Sequence, residues 1–129
     1  MTRYNYNRQM SPPAPFVHVQ IGIPSNDSVT RELPAQLDCA ADRTVIPWSV
    51  VEELTLPQLD ELPVLGFGGH LTMAATFLID LAVRGFPAVT VEVFGNRDEP
   101  FVILGCDVLN QFRAVLDGPH LVLELNMPQ

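Results

Sequence analysis

The sequence predicts an all-β domain, and two features of the chain indicate this class. Twelve prolines and eight glycines are scattered along the 129 residues, and they divide the apolar segments into runs of strand length. Two of these runs, 16–23 and 71–83, alternate their side chains with the period of two that is typical of a strand. Because 47% of the residues are hydrophobic and only 17% are charged, the chain can bury the core of one domain.

Turn residues and short apolar runs predict the other elements in order. Further strands are expected over Arg31–Leu37, Leu62–Leu65, Ala88–Phe94, Phe101–Leu104, Arg113–Leu116 and Leu121–Leu125. Asp117-Gly118-Pro119 predicts the turn of a terminal hairpin, and Gly95-Asn96 predicts another turn. Helix is expected only over Pro47–Leu54 and Asp107–Phe112. Residues 1–15 are expected to form a flexible arm, and the working domain to cover 16–126.

The composition excludes several classes of function. Fifteen acidic and seven basic residues give a formal net charge of -8, so nucleic acid is not expected as a partner. All seven cations are arginine, which excludes Schiff-base and phosphate-loop lysines. The spacing of the two cysteines predicts neither a disulfide scaffold nor a metal site. No segment resembles a membrane span or a secretory signal, so no membrane partner and a cytoplasmic location are expected.

Asp38 is the candidate catalytic residue. It follows an apolar strand and precedes small residues, in the segment Leu37-Asp38-Cys39-Ala40-Ala41-Asp42. Partial desolvation there favours the neutral form of a carboxyl group, unless donors or a second charge intervene. Taken alone, an aspartate in this position is more typical of a turn or a capping residue.

A glycine cluster, Gly66-Phe67-Gly68-Gly69-His70, begins about 28 residues after Asp38. Such a cluster is compatible with a simple hairpin turn. It is also compatible with the mobile tip of a lid that closes over an extended peptide.

These segments resemble motifs of the retropepsin family, the small homodimeric aspartic proteases of retroviruses and their cellular and bacterial relatives. Leu37–Asp42, followed by Thr44-Val45-Ile46, is similar to the family's Leu-Asp-Thr-Gly-Ala-Asp active-site loop. The Gly66–His70 cluster resembles the tip of the flap hairpin. Val102-Ile103-Leu104-Gly105-Cys106-Asp107-Val108-Leu109 resembles the apolar-apolar-Gly motif and the short helix behind the active site. The similarity covers residues 16–126.

The resemblance implies a closed β-barrel of the acid protease fold with one short C-terminal helix, and an aspartic endopeptidase without metal or cofactor. In that chemistry two aspartates share one proton: the ionised one activates water, and the protonated one donates to the substrate carbonyl. The chain supplies one such aspartate, so the resemblance implies a homodimer acting on peptide or protein substrates. It assigns catalysis to Asp38, substrate binding to Asp42, Ala40, Gly68 and Gly69, and active-site support to Cys39 and Gly105.

Three residues depart from the family's pattern. Cys39 and Ala40 stand where the family has threonine or serine and then glycine, and Cys106 stands where relatives commonly have an arginine. A thiol is a weak donor and acceptor, and the Ala40 methyl is expected to crowd or shift the loop. Without the arginine, Asp42 is expected to pair with Arg43, Arg113, backbone amides or water.

The departures leave alternatives open. The chain is either an active protease or a catalytically impaired relative that keeps the fold as a peptide-binding or dimerisation module. Cys39 and Cys106 are either two small buried thiols or close enough for an oxidation-sensitive bridge. The family's termini further imply that Leu121–Leu125 pairs across the dimer, and the apolar residues Val64, Phe67 and Ile103 predict a hydrophobic cleft.

Overall fold

Ten strands and two short helices make up the described part of the computed structural model, residues 2–66 and 68–128 without the side chain of Asp27. The strands are β1 (Thr2–Asn5), β2 (Phe16–Ile23), β3 (Asn26–Leu37), β4 (Val45–Pro47), β5 (Asp60–Leu65), β6 (Leu71–Val83), β7 (Val89–Asn96), β8 (Val102–Leu104), β9 (Arg113–Asp117) and β10 (Val122–Asn126). The helices are α1 (Trp48–Glu53) and α2 (Cys106–Leu109). No helix in these residues is long and apolar enough to cross a membrane.

Six of the strands close into a barrel. Hydrogen bonding follows the order β2-β3-β8-β4-β7-β6, and β6 then pairs with β2 from Val19↔Val83 to Gly22↔Asp80. Among the described residues β5 pairs only with β6, so these two strands extend as a hairpin from the barrel. The predicted all-β class and the closed barrel are therefore confirmed.

The barrel interior is filled by the apolar faces that the alternation predicts. Val17, Val19 and Ile21 of β2 are buried, whereas His18 and Gln20 between them are exposed. Phe77, Ile79 and Leu81 of β6 are buried in the same core. Because each buried aliphatic or aromatic side chain stabilises the fold by about 1.5–3 kcal/mol relative to its exposed state, these matched faces determine the register of the two strands.

Two short elements of the barrel differ from the prediction. The strand β4 was not expected, since it has only three residues and no alternation of its own. Gly95 and Asn96 do not form a turn: they end β7 and pair in parallel with Ile46 and Pro47 of β4. The glycine is required there by packing, because a Cβ atom would lie 2.9 Å from the ring of Phe77.

A second sheet of three strands, in the order β1-β10-β9, contains both ends of the chain. Residues expected to be a flexible arm pair with the domain in this structure, since β1 runs antiparallel to β10 and the Tyr6 N–H donates to the Leu121 carbonyl at 2.9 Å. The domain boundary at residue 16 stays a prediction. Both edges of β10 are occupied within the chain, so β10 can pair with a second copy only if β1 or β9 is displaced.

Candidate active site

Asp38 directly follows β3 and begins the loop that leads to β4. Its backbone N–H donates to the carbonyl of Leu104 at 2.9 Å and continues the parallel pairing of β3 with β8. The backbone N–H of Ala40 donates to Asp38 Oδ1 at 3.0 Å, and the N–H of Ala41 donates to the Asp38 carbonyl at 3.1 Å. These bonds fix a half-buried carboxylate at the start of a tight turn. We call residues 38–44 the Asp38 loop.

The Asp38 loop is held from behind by α2. The carboxylate of Asp107 accepts hydrogen bonds from the Thr44 backbone N–H at 2.9 Å and from the Thr44 hydroxyl at 2.7 Å. The same hydroxyl oxygen accepts the backbone N–H of Gly105 at 3.1 Å. Thr44 is fully buried, and its polar atoms are thereby satisfied. Because charge-assisted bonds of this kind are stronger than neutral ones, Thr44 and Asp107 anchor the loop.

Gly105 provides the close contact between α2 and the loop. A Cβ atom at this position would lie 2.6 Å from the carbonyl carbon of Arg43 and 2.9 Å from the carbonyl oxygen of Ala41. The next residue, Cys106, donates its backbone N–H to that Ala41 oxygen at 2.8 Å. The predicted supporting role of Gly105 stays a prediction, and the packing gives it a physical basis.

The two cysteines also meet at this contact. The Cys106 thiol lies 3.2 Å from the carbonyl oxygen of Cys39, to which it donates. Both cysteines are free, and Cys39 is exposed and Cys106 half-buried. The two thiols are therefore not both buried, as one of the alternatives from the sequence required. The contact between the two residues joins the Cys106 thiol to the Cys39 backbone carbonyl and does not join the two sulfur atoms.

An ion pair occupies the far side of the loop. Arg43 contacts Glu92 at 3.1 Å and lies over the ring of Phe94, at 5.8 Å from its centroid. The buried hydroxyl of Thr76 donates to the other Glu92 oxygen at 2.7 Å. That hydroxyl, and after it the Arg43 guanidinium, hold the pKa of the Glu92 carboxyl below its usual value. Of the partners that the sequence allowed for Asp42, Arg43 is bound by Glu92 instead.

Replacing Thr76 with valine is expected to raise the pKa of Glu92, because the shape is kept and the donor is lost. Because the pKa of Glu92 is lower in the folded protein than in the unfolded chain, the Glu92 carboxylate stabilises the fold at pH values above its unfolded-state pKa. This stabilisation is lost as the pH falls through the folded-state pKa of Glu92. A carboxyl carbon NMR titration measures the shift. Thr72→Val, on the exposed part of the same strand, is the matched control. A Glu92 pKa that is equal in Thr76→Val and in the unsubstituted protein would contradict this account.

The β5–β6 hairpin projects beyond the barrel near the Asp38 loop. At its tip the N–H of Gly66 donates to the carbonyl of His70 at 2.9 Å, and Gly68 and Gly69 have φ angles of 89° and 80°. These left-handed conformations favour glycine over any residue with a Cβ atom. Phe67, in the same tip, lies outside the described residues.

A cavity of about 510 Å³ separates the Asp38 loop from the hairpin. Its lining residues are Ala40, Ala41, Asp42, Arg43, Val45, Leu62, Pro63, Val64, Leu65 and Phe94. The structure thus brings two of the predicted substrate-binding residues, Ala40 and Asp42, into one wall. The other two, Gly68 and Gly69, lie at the hairpin tip and do not line the cavity. Ile103, which was expected in a hydrophobic cleft, lies in β8 and does not line the cavity either.

Thr44 and Asp107 belong to the sequence motifs, but the motifs did not predict the hydrogen bonds between these two residues. They are 63 residues apart, so no local pattern links them. Arg43, Glu92 and Thr76 were missed as a group for the same reason. The available signal was Asp107, which interrupts the apolar run 101–109 and indicates a buried polar contact without naming the partner.

Comparison with solved structures finds retropepsin-like proteases. A retropepsin-like aspartic protease from Rickettsia conorii has 15% sequence identity and a TM-score of 0.63, over 98% of this chain and 90% of that chain. The EIAV protease complexed with the inhibitor HBY-793 has 22% identity and a TM-score of 0.57, over 83% of this chain and 92% of that chain. The simian foamy virus (mac) protease has 16% identity and a TM-score of 0.55, over 74% and 92%.

No family model and no curated protein matches the chain. The three solved structures cover most of its length, and they confirm the fold that the motifs predict. The barrel has the retropepsin-like fold.

Proposed function

We propose that the protein is a homodimeric aspartic endopeptidase in which two copies each supply Asp38 to one catalytic pair. The observation that carries the proposal is the position of Asp38. It lies at the end of β3, its Oδ1 atom accepts the Ala40 amide, and the surrounding barrel has the fold of known aspartic proteases. In residues 2–66 and 68–128, no other aspartate directly follows a strand and precedes two small residues in this way, so the second carboxylate comes from a second copy.

The chemistry requires no group beyond the two carboxylates and water. Two carboxyl groups within hydrogen-bonding distance share one proton and titrate as a coupled pair. The ionised group takes a proton from water as the water oxygen attacks the peptide carbonyl carbon. The protonated group donates to the carbonyl oxygen, and proton transfer to the leaving nitrogen completes the cleavage. The Ala40 amide orients Asp38 for these transfers.

The departures at Cys39, Ala40 and Cys106 leave the support of the loop intact. Its anchor is the bonding of Thr44 to Asp107, which involves none of the three. Cys106 adds a backbone bond to Ala41 and a thiol contact to the Cys39 carbonyl. This support favours the active protease over the impaired module, because misplacement of a catalytic group by about 1 Å can cost roughly 100-fold in rate.

The β5–β6 hairpin is proposed to act as the flap. Its tip glycines adopt conformations that permit a tight and deformable turn, and its first strand already forms one wall of the cavity. Leu65 and Leu71, paired next to the tip, are 70% and 69% exposed. An extended peptide between the hairpin and the Asp38 loop would cover apolar surface of this kind, which favours closure.

Strand β9 is proposed as the strand that joins two copies. It pairs with β10 along one edge, and its other edge pairs with no strand of the described residues. Arg113, Ala114, Val115 and Leu116 are all exposed, although two of them are large and apolar. An open apolar edge is a template for pairing with another chain.

Val115→Glu is expected to weaken the dimer at least about tenfold, because a two-fold pairing of β9 brings the two introduced carboxylates together. Sedimentation measures the dimer, and the cleavage rate should fall with it. Val29→Glu is the matched control, since Val29 and Val115 are exposed to 40% and 43% and Val29 lies in β3. Equal dimer affinity in the two variants would exclude β9 as the interface.

The test of the proposed function is cleavage of a mixed peptide library between pH 4 and 7, with and without a statine-type mimic of the tetrahedral intermediate. We expect internal peptide bonds to be cleaved and the mimic to abolish cleavage. A folded dimer that cleaves no peptide would overturn the protease proposal and favour a peptide-binding module.

A further inference from the structure

The cavity beside the Asp38 loop contains a carboxylate that the described residues leave without a partner. In residues 2–66 and 68–128, no side chain pairs with the Asp42 carboxylate, and no N–H or O–H donates to it. Arg43, the adjacent cation, is bound to Glu92 at 3.1 Å. Asp42 is exposed and lines the cavity.

The remaining wall of the cavity is mainly apolar. Val45 and Phe94 line it from the barrel, and Leu62 and Val64 line it from the hairpin. Its volume of about 510 Å³ accommodates a long side chain. Arginine and lysine place their methylene stems along apolar surface and their charged ends at a polar rim. The wall offers the stem a surface, and Asp42 offers the charged end an acceptor.

We infer that Asp42 makes this cavity a specificity site for a cationic side chain of the substrate, so that the protein prefers peptides with arginine or lysine close to the cleaved bond. The inference rests on the proposed endopeptidase function. The formal net charge of -8 also attracts cationic peptides. The Arg43 charge is compensated by Glu92, so an anionic side chain gains less from this wall.

The test compares peptides that differ only in one charge. In a peptide that the protein cleaves, arginine, citrulline and glutamate are placed in turn at each of three positions on either side of the cleaved bond. Citrulline has nearly the shape of arginine and no charge. We expect kcat/KM for arginine to exceed that for citrulline about tenfold at one position, the size of one charge-assisted hydrogen bond at a partly exposed site.

Two variants with equal charge changes locate the effect. Asp42→Asn is expected to bring the ratio of arginine to citrulline close to one at that position. Asp98→Asn removes the same charge from an exposed loop outside the cavity, and the tenfold ratio should persist. A ratio that falls equally in both variants would assign the preference to net charge and overturn the role of Asp42.

A binding measurement separates this inference from the proposed catalysis. Peptides with a reduced, uncleavable bond are titrated against the Asp38→Asn protein, and affinities for the arginine and citrulline forms are compared. Tighter binding of the arginine form supports the cationic site even if no peptide is cleaved by the unsubstituted protein. Cleavage with equal rates for both forms at every position overturns the cationic site and leaves the protease proposal standing. Preference for glutamate over citrulline would overturn it in favour of recognition by Arg43.

Discussion

Asp38→Asn is expected to lower kcat/KM for peptide cleavage by at least about 10³-fold, because it removes both the base and the acid from the proposed pair. General acid–base catalysis contributes roughly 10²–10⁴-fold for a single positioned group, and asparagine can neither accept nor deliver the proton. The substitution keeps the size of the side chain and the acceptor oxygen that the Ala40 amide binds. Fold and dimer should therefore persist, as circular dichroism and sedimentation can establish.

Mixing the variant with unsubstituted chains tests whether the two Asp38 residues act together. If each active dimer needs Asp38 from both copies, an equal mixture that has exchanged subunits retains about one quarter of the activity of the same total amount of unsubstituted protein. If each chain acts alone, the mixture retains about one half. Asp98→Asn, an exposed aspartate in a loop, is the control and should leave both the rate and the mixing curve unchanged. Retention of one half would contradict the shared pair.

The strands that carry their own alternation could be predicted from the sequence. The bounds of β2 and β6 agree with the prediction, because one face of each strand is buried and a shift of one residue would expose it. The last two strands were also located, because Asp117-Gly118-Pro119 provides the turn between them. The three-residue strand β4 was missed, since its pairing with β7 and β8 depends on segments that are distant in the sequence.

The candidate site was predictable where it is local and unpredictable where it depends on contacts across the fold. Asp38 and the loop that follows it form one continuous segment with a specific resemblance. The pairing of Arg43 with Glu92, in place of Asp42, joins segments on different strands. The Asp38 loop could be predicted because a local motif determines the backbone conformation around it. The Arg43–Glu92 pair could not, because the partner of a charged side chain is determined by tertiary packing.

The contact of Gly105 with the Asp38 loop gives the largest expected effect on stability. Gly105→Ala places a methyl group 2.6 Å from the carbonyl carbon and 2.7 Å from the carbonyl oxygen of Arg43. Both atoms belong to the backbone and cannot rotate away, so the loop or α2 must move. Overpacking of this kind typically costs about 1–3 kcal/mol. Displacement of Gly105 would also lengthen the bond from its N–H to the Thr44 hydroxyl.

Gly105→Ala should therefore unfold at a lower denaturant concentration than the unsubstituted protein. The cleavage rate of the folded variant should also fall, because the crowded backbone atoms of Ala41 and Arg43 belong to the Asp38 loop. Gly118→Ala is the matched control: apart from Gly118 and its two chain neighbours, no described residue has an atom within 4 Å of a Cβ atom built there, and Gly118 occupies the β9–β10 turn. This control separates crowding at Gly105 from the general effect of replacing glycine with alanine on the unfolded chain. If Gly105→Ala unfolds at the same midpoint as Gly118→Ala and cleaves peptides as fast, the close packing of α2 against the loop does not determine the geometry of Asp38.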